Sequence, residues 1–134
     1  MDTAEVIGWV RAFTLTQLLE VPLYTLALGW PRLRVPMPQG TLPPPLSVSF
    51  RIAVAFLCSL LSHPVVWFGF PRLIDSYEHY AAMVVAAETF AVGSEAVVLW
   101  AVRLRLHHAF VLSLLVNMTS MSMGFLLRYL TGWI

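Results

Sequence analysis

Four apolar stretches, at residues 6 to 30, 48 to 70, 80 to 102 and 107 to 130, fill most of this 134-residue chain. Each exceeds the roughly 20 residues that a helix needs to cross the hydrocarbon of a bilayer. Lipid offers no hydrogen bonds to a backbone, so stretches of this kind satisfy their peptide groups internally, as helices. The expected fold is all-α: a polytopic membrane protein of one domain, residues 1 to 134, with four transmembrane helices. Composition agrees, because 59% of the residues are hydrophobic and only 11% charged, against about 25% charged in a soluble domain.

Charge and cysteine content exclude several classes. The net charge is +1, carried by eight arginines and no lysine, which is too even a balance for nucleic acid or an acidic substrate. Cys58 is the single cysteine, so neither an internal disulfide nor a thiolate metal cluster can form. No Gly-rich phosphate loop or nucleophile motif occurs. The expected partners are the lipid bilayer and either further copies of the chain or a membrane partner subunit, since four helices are few to enclose a pathway.

The connections differ in character. Residues 31 to 47, "PRLRVPMPQGTLPPPLS", hold six prolines, and these cannot continue a helix and favour extended polyproline geometry. A stiff surface linker or a docking strip would both suit this composition. The other two, "PRLIDSYEH" at 71 to 79 and "RLRLHH" at 103 to 108, are short, which makes the spans they join antiparallel neighbours. Trp9 and Trp30 lie 21 positions apart, about 31 Å of helix, and suit the two membrane interfaces, as do Trp100, Tyr77, Tyr80, Tyr129 and Trp133 near other span ends. The acidic start "MDTAEVIGWV" lacks the basic region of a signal peptide, so the first segment is expected to remain. Arg32, Arg34, Arg51, Arg103 and Arg105 fall on the side of the first and third loops, against Arg11, Arg72 and Arg128 on the other. That bias predicts cytoplasmic first and third loops with both termini outside, insertion in both orientations being the alternative, and the expected location is a bacterial-type plasma membrane.

An internal repeat is visible. "RIAVAFLCSLLSHP" from Arg51 and "RLHHAFVLSLLVNM" from Arg105 share Arg, Ala, Phe, Ser, Leu and Leu at equal offsets, which sets Ser59 opposite Ser113 and His63 opposite Asn117. Upstream, "LLEVPLYTLAL" and "GSEAVVLWAV" each hold one central glutamate, Glu20 and Glu95. The chain reads as two tandem helical hairpins, a parallel repeat with its axis along the membrane normal.

Polar residues recur at helical spacing within the spans. Gln17, Glu20 and Tyr24 share one face of the first, Ser59 and His63 of the second, Glu88 and Glu95 of the third, and Ser113, Asn117 and Ser120 of the fourth. Such faces turn inward, because an unsatisfied polar group in hydrocarbon costs several kcal/mol. Pro22 and Pro64 each remove one intrahelical bond, freeing the carbonyls of Leu18 and Leu60, and mark expected kinks. The predicted polar cluster is therefore Glu20, His63, Glu95 and Asn117, supported by Gln17, Tyr24, Glu88 and Ser120.

Three functions fit such a cluster. Ionisable groups inside spans commonly carry a proton or cation, with the glutamates as carriers and His63 as relay. Alternatively the chain is an accessory or scaffold subunit, not an enzyme, and the cluster locks helices together. A membrane enzyme with a metal on Glu20, His63 and Glu95 is the third. No cofactor is implied beyond a bound cation. His107 and His108, being adjacent, are expected to diverge, and Met118, Met121 and Met123 to act as packing rather than as copper ligands. In size, span number and the glutamate of its first span the chain resembles the small multidrug-resistance transporters, a likeness of architecture that transfers no function.

Overall fold

The computed structural model describes residues 2–38, 40–75 and 77–132. Gln39 in the proline-rich loop and Trp133, one of the expected interfacial aromatics, lie outside them. Four long helices form: α1 (Thr3–Ala27), α2 (Val48–Leu73), α3 (Tyr80–Ala101) and α4 (Leu106–Thr131). Each packs against the next in the chain, and α4 returns to α1, giving a four-membered ring in which α1 faces α3 and α2 faces α4.

Three of these helices, α2, α3 and α4, are long and apolar enough to cross a membrane. The expectation of four spans is corrected at α1. Its 25 residues suffice in length, but Glu5, Arg11, Gln17, Glu20 and four threonines dilute its apolar content. It joins the bundle by turning Glu20, Tyr24 and Ala27 inward, while Leu18 and Leu26 stay outside with exposures of 68% and 66%.

Helix boundaries follow local chemistry. Ser47 caps α2, its Oγ accepting from the Phe50 amide at 3.3 Å, one of the donors that a helix start leaves unpaired. Gly132, at φ 62°, ends α4 in the left-handed conformation that glycine adopts without strain. Pro64 cannot donate to Leu60, and α2 does not stop there. It passes into a π-helical stretch, Val65–Gly69, before resuming at Phe70–Leu73. Such insertions shift side chains around the helix axis relative to a plain α-helix.

The proline-rich segment is more than a linker. Pro31–Leu33 form a 3₁₀ turn. Beyond it the chain pairs with the α3–α4 turn: the Val35 amide donates to the Arg103 carbonyl at 2.9 Å and the Arg105 amide to the Leu33 carbonyl at 3.1 Å. Arg34, only 7% exposed, donates from Nη1 to the Pro44 carbonyl at 2.6 Å. Arg51 reaches back to the Thr25 carbonyl at 3.1 Å, a favourable place for a cation at the C-terminal end of α1. Its guanidinium lies where a Cβ on Gly29 would be, so that glycine admits the arginine.

The two ends of the bundle contrast. Toward the proline-rich loop, Tyr24, Leu28, Val54, Ala55, Cys58, Leu99, Leu104 and Ala109 pack into a closed apolar core. At the end carrying the chain termini, Arg72 donates to Phe68 and bridges to Glu5 at 3.1 Å, and the helices stand apart around a cavity.

Candidate functional site

Between these two ends lie Glu20 and Glu95, each 1% exposed. Glu20 is held on both oxygens: Ser59 of α2 donates to Oε2 at 2.6 Å and Ser120 of α4 to Oε1 at 2.6 Å. Glu95 collects donors from every other helix. Tyr24 of α1 donates to its Oε2 at 2.5 Å, Asn117 of α4 at 2.6 Å and Ser113 at 3.3 Å, while Ser62 of α2 donates to Oε1 at 2.9 Å. Hydroxyl and amide donors supply all these bonds. Among the described residues neither carboxylate meets an arginine or histidine within salt-bridge distance.

Helical spacing explains the geometry. Ser59 and Ser62 are three residues apart, and Ser113, Asn117 and Ser120 step by four and three, so each set projects from one face. Small hydroxyls there let two carboxylates be enclosed without a clash. The interior around them includes Ala87, Ala91 and Val92 on α3.

A cavity of about 460 Å³ leads from the terminal end to this cluster. Glu5, Pro71, Tyr80 and Arg128 stand near its mouth, and Glu20, Glu95, Ser62, Asn117 and Ser120 line its inner end. Glu88 and His63 lie along the wall, with Trp67, Met121 and Phe125 among the apolar residues.

Of the cluster expected from sequence, Glu20, Glu95, Tyr24, Asn117 and Ser120 come together. His63 does not join them. It stacks on Trp67 with ring centroids 6.3 Å apart and meets Phe13 edge-on at 5.3 Å, and its Nδ1 is buried without a hydrogen-bond partner. Asn117 binds Glu95, so the two residues that the repeat sets opposite one another have different surroundings. Gln17 is set apart as well, with both amide atoms buried and unpaired. Glu88 lines the cavity and makes no hydrogen bond to a described residue. Trp9, expected at an interface, packs inward on Phe13 and Phe68 at 5.4 and 5.7 Å.

Two further expectations are corrected. Among the described residues no three His, Cys, Asp or Glu side chains gather closely enough to hold a metal ion, and the proposed set fails because His63 points into the aromatic group. The rings of His107 and His108 do not diverge but lie 4.0 Å apart, in the first turn of α4, where His108 also approaches the Leu33 carbonyl at 3.3 Å. Ser62 was not singled out by the sequence reading. Its signal was available in the three-residue step from Ser59.

No protein-family model matches the chain, and no curated protein or solved structure shows significant similarity to it.

Proposed function

We propose that the chain is a small integral membrane protein in which Glu20 and Glu95 take up a proton or cation and pass it across the membrane. One observation carries the reading: two buried carboxylates, bonded only to neutral donors, lie at the inner end of a cavity open toward one end of the bundle. An ionised carboxylate at mid-bilayer costs at least about 2.5 kcal/mol on insertion scales, and two close together repel. A bound proton or cation lowers both costs. The hydroxyls suit exchange, since each donates to a carboxylate and can rotate to accept from an acid or face a cation.

The parallel repeat belongs to the same proposal. Ser59 serves Glu20 within the first hairpin and Ser113 serves Glu95 within the second, the pairing that the aligned segments anticipate. A half-turn about the bundle axis would exchange the hairpins. The arginine bias supports a cytoplasmic side for the proline-rich loop and an outer side for the termini, and a second copy or a membrane partner subunit would complete the pathway.

A scaffold function is favoured by a different observation. All four oxygens of Glu20 and Glu95 already accept hydrogen bonds, and these link α1, α2, α3 and α4, as an architectural cluster would. Reconstitution separates the two. Proton flux in vesicles holding wild-type protein under a pH gradient, abolished by Glu20→Gln, supports transport. An inert wild type together with a more thermostable Glu20→Gln supports the scaffold.

A further inference from the structure

Acidic side chains avoid one end of the bundle altogether. No aspartate or glutamate occurs between Glu20 and Asp75 or after Glu95. The proline-rich segment, the start of α2 and the α3–α4 turn therefore carry Arg32, Arg34, Arg51, Arg103 and Arg105 with no carboxylate among them. Arg34 and Arg51 each give Nη1 to a carbonyl, of Pro44 and Thr25, and the Nε of each is buried with no partner. Neutral carbonyls satisfy hydrogen bonds but leave the charges uncompensated, and a charge withdrawn from water calls for one of opposite sign. The other three arginines are exposed.

The pairing of the proline-rich segment with the α3–α4 turn sets their arrangement. Arg34 bridges Leu104 in antiparallel register, and both are buried. With Leu104 turned inward, the exposed Arg103 and Arg105 flank it on the outward side. Arg103 holds φ 70°, and among the described residues no other non-glycine has a positive φ. That conformation suits glycine and strains a long side chain. The turn alone would be better served by glycine, so the arginine stands there for what its side chain does.

Greasy surface borders this charge. Trp30, Trp100, Leu106 and Phe110 are close to these arginines in the chain and are exposed, and indoles favour the boundary between membrane and water. A soluble anion would use the arginines alone. An anionic phospholipid uses both parts, its phosphate on the guanidinium groups and its chains on the apolar side chains, while the long arginine stems reach the headgroup depth. We propose that the end of the bundle formed by the proline-rich segment and the α3–α4 turn binds an anionic phospholipid, its phosphate held by Arg32, Arg103 and Arg105 and its acyl chains lying on Leu106 and Phe110 of α4. The inference depends on α2, α3 and α4 crossing a bilayer, and not on what Glu20 and Glu95 carry.

The probe is spin-labelled phosphatidylglycerol, compared with spin-labelled phosphatidylcholine, in phosphatidylcholine vesicles that hold the full-length protein. The resonance spectrum reports how much of each lipid is immobilised at the protein surface. Phosphatidylglycerol is expected to be favoured about fivefold or more, the scale of a single arginine near an anionic surface, and the preference to fall by at least about half in Arg103→Gly and in Arg105→Gln. Added salt should shrink it by screening. Arg103→Gly is expected to keep the melting temperature of the wild type, because glycine suits φ 70° and the carbonyl that accepts from Val35 remains. Arg128→Gln, at the opposite end of α4, is expected to keep the preference. The proposal is overturned if the wild type immobilises both lipids equally, if neither substitution in the turn lowers the preference, or if Arg128→Gln lowers it as much. Displacement of the labelled lipid by millimolar inorganic phosphate at constant ionic strength would assign the surface to a soluble anion and overturn it too. A lower melting temperature in Arg103→Gly with an unchanged lipid preference would make that arginine structural, with the same result.

Discussion

The phenol of Tyr24 on α1 donates to Glu95 Oε2 on α3 at 2.5 Å, joining two helices that face one another across the ring. Tyr24 is fully buried, so its ring would remain packed in Tyr24→Phe while this bond is lost. Hydrogen bonds to charged groups are worth about 1.5 to 3 kcal/mol. Asn117 and Ser113 remain on the same oxygen, so a loss near the lower figure is expected, read as a reduced melting temperature in detergent. An unchanged melt would show that the bond contributes nothing to the fold.

The glutamates are expected to differ in rank. Glu20→Gln and Glu95→Gln should abolish flux in reconstituted vesicles while leaving insertion intact, because the amide keeps the carboxylate's shape. Glu88→Gln should reduce it less, since Glu88 is only half-buried and stands on the cavity wall. Equal loss in all three variants would mean that overall negative charge, rather than the enclosed pair, governs the activity.

His63 offers the opposite sign. Its Nδ1 is buried with no partner and its neighbours are Trp9, Phe13 and Trp67. Burying an unpaired polar atom costs about 1 to 3 kcal/mol. His63→Phe is therefore expected to match or exceed the wild type in thermal stability and to retain flux. Loss of flux at normal stability would restore the relay role expected from sequence.

Topology can be read with single cysteines. Cys58 is buried and should remain unlabelled in the native protein, which makes the wild type its own blank. Thr131→Cys is expected to react with an impermeant thiol reagent outside intact cells and Thr41→Cys only after lysis. Labelling of Thr41→Cys alone would reverse the orientation, and labelling of both in separate molecules would indicate insertion in either direction.

How much the sequence revealed depends on the physics behind each expectation. α3 and α4 were legible almost to the residue, with 80 to 102 and 107 to 130 expected and Tyr80–Ala101 and Leu106–Thr131 observed, because long apolar runs end where turn residues begin. α1 was legible as a helix, but its polar content was underweighted. The carboxylate pair was also visible, since buried charge in an apolar run demands partners. His63 misled for a geometric reason. From Ser59, at about 100° per residue, His63 lies about 40° to one side and Ser62 about 60° to the other. The first direction meets the aromatic residues of α1, and the second meets Glu95. Helical periodicity alone does not say which neighbour stands on which flank. The pairing of the proline-rich segment with the α3–α4 turn was equally out of reach, being a contact between segments distant in the chain.

The packed end of the bundle has an electrical consequence. In a bilayer, a water-accessible cavity conducts ions far better than close-packed Leu28, Leu99 and Leu104. The transmembrane voltage then drops mainly across that short apolar barrier, over which the field is steepest. A charge travelling from the mouth to Glu20 would cross little of the voltage, and one moving beyond the barrier would cross most of it, worth about 2.3 kcal/mol per elementary charge for each 100 mV. Arrival at the carboxylates would be nearly voltage-independent, and departure past them strongly rectified by the polarity of the membrane.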